Sequence, residues 1–461
     1  MYENISVLRL ISILTISTLL FLNHLITYSQ EKEKIQFHLL GQDDNMSFLS
    51  DQEDKTAYES MKWIDLKNQN SISFGGGYRF QIESFINANF SNQQNQDNIW
   101  YLNRLMFHSL VKLGSKFEFY GELNSSTAIN KSDISPVDKD VLSVNQAFIK
   151  YTFNPNWSVL VGRENLRFGT RRLVDIREGP NVRRSFDVTR LNYSGPKTSI
   201  SAFFSIPVKP KPEVFDNSYL KFDEIFTGFY ATKNLSTSLN FDSYGFYQKD
   251  DNVTYNVGTA NEKRYSFGTR FFGTINKFSY NNEVVYQFGS FGNLAIQAFT
   301  ISVLGEYTFD FISDKTVLGL KTEVISGDKN PNDTTLNTFD ALYPRGAYFG
   351  RVAKFGPSNL IDAHPYLNFN KRNYYFELDY DAFWRYAVSD GVYGAALLLD
   401  FPSTNHNPFI GQQIGTLMGC NINNHLNIEF ETNIIFPGDF LKTNKLTSTL
   451  FHAVMTAEFK F

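Results

Sequence analysis

The chain contains a single cysteine, Cys420, among 461 residues. It can form no intramolecular disulfide and no cysteine-rich metal cluster. It reads as a small residue on a strand. Beyond about residue 26 no run is apolar enough for a helical membrane span. The seven histidines are scattered, without metal-ligand spacing. Gly75-Gly76-Gly77 is no phosphate cradle, because no Lys-Ser/Thr pair or helix follows it. No nucleophile-elbow signature is present, so no catalytic, cofactor or metal residue is assigned. Asp328, Asn330, Asn332 and Asp333 have a faint calcium-loop spacing but lack its glycine and closing Glu. Neither sign of charge prevails: 43 Lys and Arg against 47 Asp and Glu give −4. That balance gives no electrostatic argument for nucleic acid.

Aromatics, in contrast, are abundant, with 45 Phe and 25 Tyr, while mean hydropathy is slightly negative. A polar chain rich in aromatics suits strands that face lipid on one side and water on the other. The C-terminal stretch has this form. Phe451, Ala453, Met455, Ala457, Phe459 and Phe461 alternate with His452, Thr456, Glu458 and Lys460. A closing strand of an outer-membrane barrel needs that pattern, apolar outward and polar inward. At the other end, Arg9 precedes an apolar run from Leu10 to about Ile26, with Thr27, Ser29 and Gln30 after it. Residues 1–29 read as a secretory signal peptide, with a signal anchor as the alternative.

Residues 30–70 are polar and mixed in charge, and read as a periplasmic segment with a short helical turn. Period-two alternation then begins. Ile72, Phe74, Tyr78, Phe80 and Ile82 alternate with Ser73, Arg79, Gln81 and Glu83. Tyr101, Leu105, Phe107 and Val111 alternate with Arg104, His108 and Lys112. The same holds on 278–288, 374–384 and 426–434, with charges confined to one parity. Short turns are expected at Gly114-Ser115, Asn154-Pro155-Asn156, Gly195-Pro196, Ile275-Asn276 and Asn423-Asn424. Long loops are expected near 124–143, 165–185, 207–224, 249–263, 326–347 and 436–449. The fold class is therefore all-β: a transmembrane antiparallel barrel of about 18 strands (16–18) over residues 71–461, of outer-membrane porin type.

Several blocks resemble the alginate-export family of outer-membrane barrels. They include Met61-Lys62-Trp63-Ile64-Asp65-Leu66, Gly75-Gly76-Gly77-Tyr78-Arg79, and above all Gly162-Arg163-Glu164-Asn165-Leu166-Arg167-Phe168-Gly169-Thr170-Arg171-Arg172-Leu173. Asn181-Val182-Arg183-Arg184-Ser185-Phe186-Asp187, Phe383-Trp384-Arg385 and Pro437-Gly438-Asp439-Phe440-Leu441 continue the series. The chain departs from the family pattern at Phe168-Gly169-Thr170 and at Phe186-Asp187-Val188. The resemblance implies a monomeric porin in outer-membrane lipid that exports an acidic polysaccharide or oligosaccharide, with periplasmic scaffold proteins as partners.

A polyuronate carries one carboxylate per sugar and must shed water to enter a narrow pore. Guanidinium groups offset that cost through a rigid two-toothed fork, and charged rings set selectivity in anion pores. The candidate pore lining comprises Arg163, Arg167, Arg171, Arg172, Arg184, Asp187 and Arg190 in the 163–190 block. Arg79, Glu83 and Arg104 on the first two strands join them, with Arg385 further on. A solvated loop braced by Arg–carboxylate pairs is the alternative reading of the block. Parity leaves open which of Arg163 and Glu164 faces inward. The competing functions are an uptake porin for small anionic solutes and, in a third class, a barrel lipase or protease.

Overall fold

The computed structural model describes residues 35–91, 98–310 and 314–461; the expected leader, 1–29, lies outside them. Eighteen long antiparallel strands form one closed sheet. In chain order they are Ser71–Ile86 (β1), Asn98–Leu113 (β2), Phe117–Ile129 (β3), Asp140–Asn154 (β4), Trp157–Glu164 (β5) and Phe186–Ser194 (β6). Thr198–Pro207 (β7), Glu224–Asn234 (β8), Asn240–Tyr255 (β9), Gly258–Ile275 (β10), Phe278–Phe291 (β11) and Leu294–Phe309 (β12) follow. Lys315–Ile325 (β13), Leu360–Lys371 (β14), Tyr374–Trp384 (β15), Phe409–Asn421 (β16), Leu426–Pro437 (β17) and Leu450–Lys460 (β18) complete the wall. Each strand pairs with its sequence neighbour, and β18 closes on β1 with Arg79 opposite Glu458 and Ile86 opposite Phe451. Closure leaves no unpaired edge, which a sheet in hydrocarbon requires.

Alternation decides which way each side chain points. On β2, Leu102, Arg104, Met106 and His108 are buried inward, while Tyr101, Leu105 and Phe107 are exposed outward. On β11, Glu283, Val285 and Gln287 face in, and Val284, Tyr286 and Phe288 face out. The outward set is apolar and aromatic because it meets lipid. Cys420, opposite Ile428 and Tyr374, belongs to that outer face.

Short turns such as 155–156, 276–277 and 372–373 lie at the end where β1 starts, and longer loops lie mostly at the other. By the usual barrel arrangement the first end is periplasmic. One expectation fails here. The long loop expected at 249–263 is a two-residue turn, Asn256-Val257, between β9 and β10. These strands continue past the membrane, where water wets both faces and the alternation gives way to charge.

The lumen does not stay empty. Three short helical turns, Gly41–Asp43, Ser47–Leu49 and Ala57–Lys62 (α1), precede the barrel. Thr56 and Glu59 form a reciprocal cap on α1. This segment crosses the periplasmic mouth. Phe37 and Tyr58 pack on His425 of a periplasmic turn at 5.2 and 5.5 Å between ring centres. Lys62 Nζ donates to the Phe74 carbonyl at 2.8 Å. A Cβ on Gly41 would sit 2.3 Å from the inward-facing His108 ring. Leu40, Met46 and Leu49 are buried.

Candidate functional site

From the opposite end, two loops fold into the barrel and join each other. Residues 165–185 and 326–359 share backbone hydrogen bonds: Asp175 N to Tyr343 O and Tyr343 N to Leu173 O, both 2.8 Å, and Arg345 N to Arg171 O at 3.1 Å. An aromatic cluster holds them to the wall. Phe168 stacks on Phe203 and Tyr230 at 5.4 and 5.3 Å, and Tyr343 meets Phe186 and Phe226 at 5.1 and 4.8 Å. Such pairs contribute about 0.5–1.5 kcal/mol each beyond the area they bury. Gly169 has φ +52°, and a Cβ there would lie 2.2 Å from the Tyr230 hydroxyl, so this turn requires glycine.

Most of the candidate arginines serve as braces for these loops. Arg79 and Arg104, opposite each other on β1 and β2, both reach Glu178 of the 165–185 loop. Arg79 also donates to the carbonyls of Glu178 and Pro180, each at 2.8 Å. Arg183 Nε lies 2.5 Å from the same Glu178 carboxylate. Burial opposes ionisation of Glu178, yet Arg104, Arg183 and Arg79 together hold its carboxyl well below the usual range. A depressed carboxyl stabilises the fold fully above its ordinary value of 4.5 and loses that contribution as pH falls. Glu178→Ala would strand three guanidiniums. We expect a loss of roughly 3 kcal/mol in the loop's anchorage, the low end for breaking a buried pair, read as faster proteolysis within 165–185.

Arg172 is fixed just as firmly. It donates to Glu283 and Thr300 at 3.1 Å and to Tyr348 at 2.8 Å, and pairs with Glu323 at 2.7 Å. Arg184 donates to the Pro344 carbonyl at 3.1 Å and lies over the Tyr343 ring. Arg190 faces inward and pairs with Glu164. Glu83 accepts from Trp100 at 2.8 Å and meets His452 at 2.9 Å. Arg385 lies just past the end of β15. It binds the carbonyls of Val388, Asn405 and Asn407 at 2.9, 2.6 and 2.7 Å, tying the 385–408 loop together.

Arg163 and Asp187 do not line the lumen. Glu164 faces in and Arg163 faces out, because the inward parity of β5 and β6 runs through Leu160, Glu164, Phe186 and Val188. The pair is two-pronged, with Nε–Oδ1 at 2.8 Å and Nη2–Oδ2 at 3.1 Å, on the outer wall.

Three arginines differ. Arg167 is exposed, Arg171 and Arg345 are half-buried, and none has a carboxylate ion pair among the described residues; Arg184 has none either, but it is tied to two backbone carbonyls, of Asp175 and Pro344. Arg345 donates to the Tyr348 carbonyl at 2.9 Å and lies over that ring. Arg171 is lowered from the usual guanidinium range first by burial; Asp175 opposes this, and Arg167 and Arg345 push it further down. The three charges therefore share one neighbourhood. Asp43 of the N-terminal segment reaches it from the periplasmic side: burial raises its carboxyl, against His38, Arg167, Arg190 and Lys150. Arg345 escaped the sequence reading because loop 326–359 carries no alternation to orient it. From the Glu323 that pairs with Arg172, an acidic strip continues along the neighbouring strands through Asp362, Asp379 and Asp381, with His364 2.9 Å from Asp381.

The calcium-like spacing has a local explanation. Asp328, Asn330 and Asp333 side-chain oxygens accept from the backbone amides two residues on, at 3.2, 3.3 and 2.7 Å. These are turn-forming bonds. Asp328 is raised from 3.8 to about 6, first by burial and then by Asp390 and Asp333, against the Asn330 amide. A raised carboxyl stabilises below 3.8 and loses that contribution as pH rises through about 6. Protease resistance of 326–347 should therefore decline across that window, by at most about 3 kcal/mol before solvent screening is discounted. Asp328→Asn should remove the dependence.

A family model described as "Alginate export" matches residues 70–451. No curated protein matches. Among solved structures, OpdO of Pseudomonas aeruginosa is similar at 9% identity and a TM-score of 0.59, covering 85% of this chain and 97% of that one. OpdK of the same organism, solved with vanillate, is similar at 10% identity and a TM-score of 0.54, covering 84% and 98%. At such identities these two describe a shared barrel and nothing further.

Proposed function

From the premise that this chain belongs to the alginate-export family, and is an outer-membrane channel rather than an enzyme, we propose that it passes an anionic polysaccharide or oligosaccharide by passive diffusion, outward. The observation that carries this reading is the Arg167, Arg171 and Arg345 cluster on loops folded into the lumen. Its charges are not consumed by internal ion pairs, so they are available to a passing carboxylate. The acidic strip beside the cluster repels the same polymer and keeps it from binding too tightly to leave. The other candidates act as positioning residues: Arg79, Arg104, Arg172 and Arg184 hold the loops that present the cluster.

The N-terminal segment 37–62 is the gate in this proposal. Its Asp43 stands within electrostatic reach of Arg167 and Arg190, as a polymer carboxylate would. An incoming polyanion competes with it for those charges. In this proposal the barrel acts as a monomer, and periplasmic scaffold proteins deliver the polymer. The alternative is uptake of small anionic solutes, for which the same unpaired guanidiniums would serve. Planar-bilayer recordings with short polyuronates and matched neutral oligosaccharides separate the two. Block by the polyuronate, deepening with chain length, supports polymer passage. Block that saturates at one sugar unit supports the small-solute porin, and equal block by neutral sugar removes the anionic reading.

A further inference from the structure

An open cavity of about 580 Å³ lies on the outside of the barrel, not in the lumen. That is within the roughly 300–1,000 Å³ range of small-ligand sites. Its floor is the outward face of β4 to β7. Cross-strand register sets Ala147, Arg163, Asp187 and Ile206 in one row, and Ile149, Val161, Thr189 and Phe204 in the next toward the membrane. The second row meets lipid, with Val161 53% and Phe204 45% exposed. In the first row Ile206 has the same parity but is only 2% exposed. Something covers it, and the cover is the loop 208–223 turned back over the rim.

That loop is fastened to the wall. Val141 N donates to Pro212 O at 3.2 Å, and Phe215 N to Leu142 O at 2.8 Å. The outward Arg163 donates to Ser218 O at 3.0 Å, and Asp187 accepts from Leu220 N at 3.3 Å. The outward ion pair thus serves as the loop's anchor. Yet the loop leaves its own apolar groups uncovered: Phe215, Tyr219 and Phe222 are 58%, 73% and 57% exposed. Water would not favour such a surface. The cavity runs directly into the lipid-facing belt, where hydrocarbon is the apolar occupant at hand. Charge indicates the headgroup. Lys139 pairs with Glu213, and Lys209 with Asp223. Lys211 and Lys221 are exposed and have no ion pair among the described residues, and Asp216 is the loop's remaining unpaired acid. Lys221 stands between Leu220 and Phe222, which both line the cavity.

We propose that this cavity is a lipid-binding site. One acyl chain of a phosphate-bearing outer-leaflet lipid lies between Val161, Phe204 and Leu220, with its phosphate at Lys211 and Lys221. The site is independent of what the pore carries. The test is native mass spectrometry of the full-length protein released from detergent, with dipalmitoyl phosphatidic acid or dipalmitoyl phosphatidylcholine added. We expect one retained molecule, with the phosphatidic acid preferred. Ala147→Trp, which fills the cavity from the floor, should lower retention roughly tenfold while leaving channel conductance unchanged. Lys211→Ala with Lys221→Ala should abolish the headgroup preference alone. Should Ala147→Trp fail to assemble, Phe222→Ser at the roof gives the same reading. Equal retention by wild type and the cavity variants, or no preference between the two lipids, would overturn the proposal.

Discussion

Replacing Arg167, Arg171 and Arg345 together by Ala is expected to abolish polyuronate block of the channel while leaving the barrel assembled. Each guanidinium gives a charge-assisted contact worth about 1.5–3 kcal/mol, so each single change should weaken block roughly tenfold or more. The effect should shrink as salt is raised, because exposed charges are screened within about 10 Å at 0.1 M. Arg172→Ala and Arg184→Ala provide the contrast. Arg172 is spent on Glu283, Glu323, Thr300 and Tyr348. Its loss should destabilise the 165–185 loop, seen as noisy, fluctuating conductance, before it alters selectivity. If all five substitutions behave alike, the distinction between presenting and bracing arginines fails.

The second large effect concerns residues 37–62. Deleting them should raise conductance several-fold, because they occupy the periplasmic half of the lumen against His108 and Phe74. Since deletion also removes wall contacts, a reversible lock is the cleaner experiment. Gly41→Cys with His108→Cys puts two facing thiols into the space that the His108 ring fills beside Gly41. Cys420 lies on the outer face, away from both. Oxidation should hold the low-conductance state, and reduction should release it, with larger openings once polyuronate is added. Indifference of conductance to the redox state would remove the segment from any gating role.

How much of this was legible follows from where alternation operates. Arg79, Arg104 and Glu83 faced inward as expected, because hydrocarbon on one side fixes the parity of every strand residue in the membrane. Lys249-Asp250-Asp251-Asn252 resembled a loop but forms strand, because above the membrane both faces are wet and period two disappears. Parity left the side of Arg163 open, and Asp187 was taken as pore-lining, because an outward ion pair under the 208–223 loop breaks the apolar pattern of the outer face. Their side is visible only from the ladder that sets them beside Ala147 and Ile206. Arg345 and Asp43 join the site by loop folding. A polar stretch with scattered Leu40, Met46 and Leu49 gives no periodicity to forecast that. The block from Gly162 to Asp187 carried the family resemblance, yet the partners of its arginines lie in the folded loops, as Glu178 does, or far along the chain on β11 to β13, as Glu283, Thr300 and Glu323 do.

The central claim is that the barrel conducts a polyanion through the loops folded into its lumen. The most direct test is efflux from proteoliposomes loaded with a fluorescent polyuronate and, separately, a neutral polysaccharide of equal length. The account predicts protein-dependent release of the polyuronate, markedly faster than the neutral polymer, and equalised by the Arg167, Arg171 and Arg345 substitutions. Retention of the polyuronate with free passage of small anions would contradict it and leave a small-solute porin in its place.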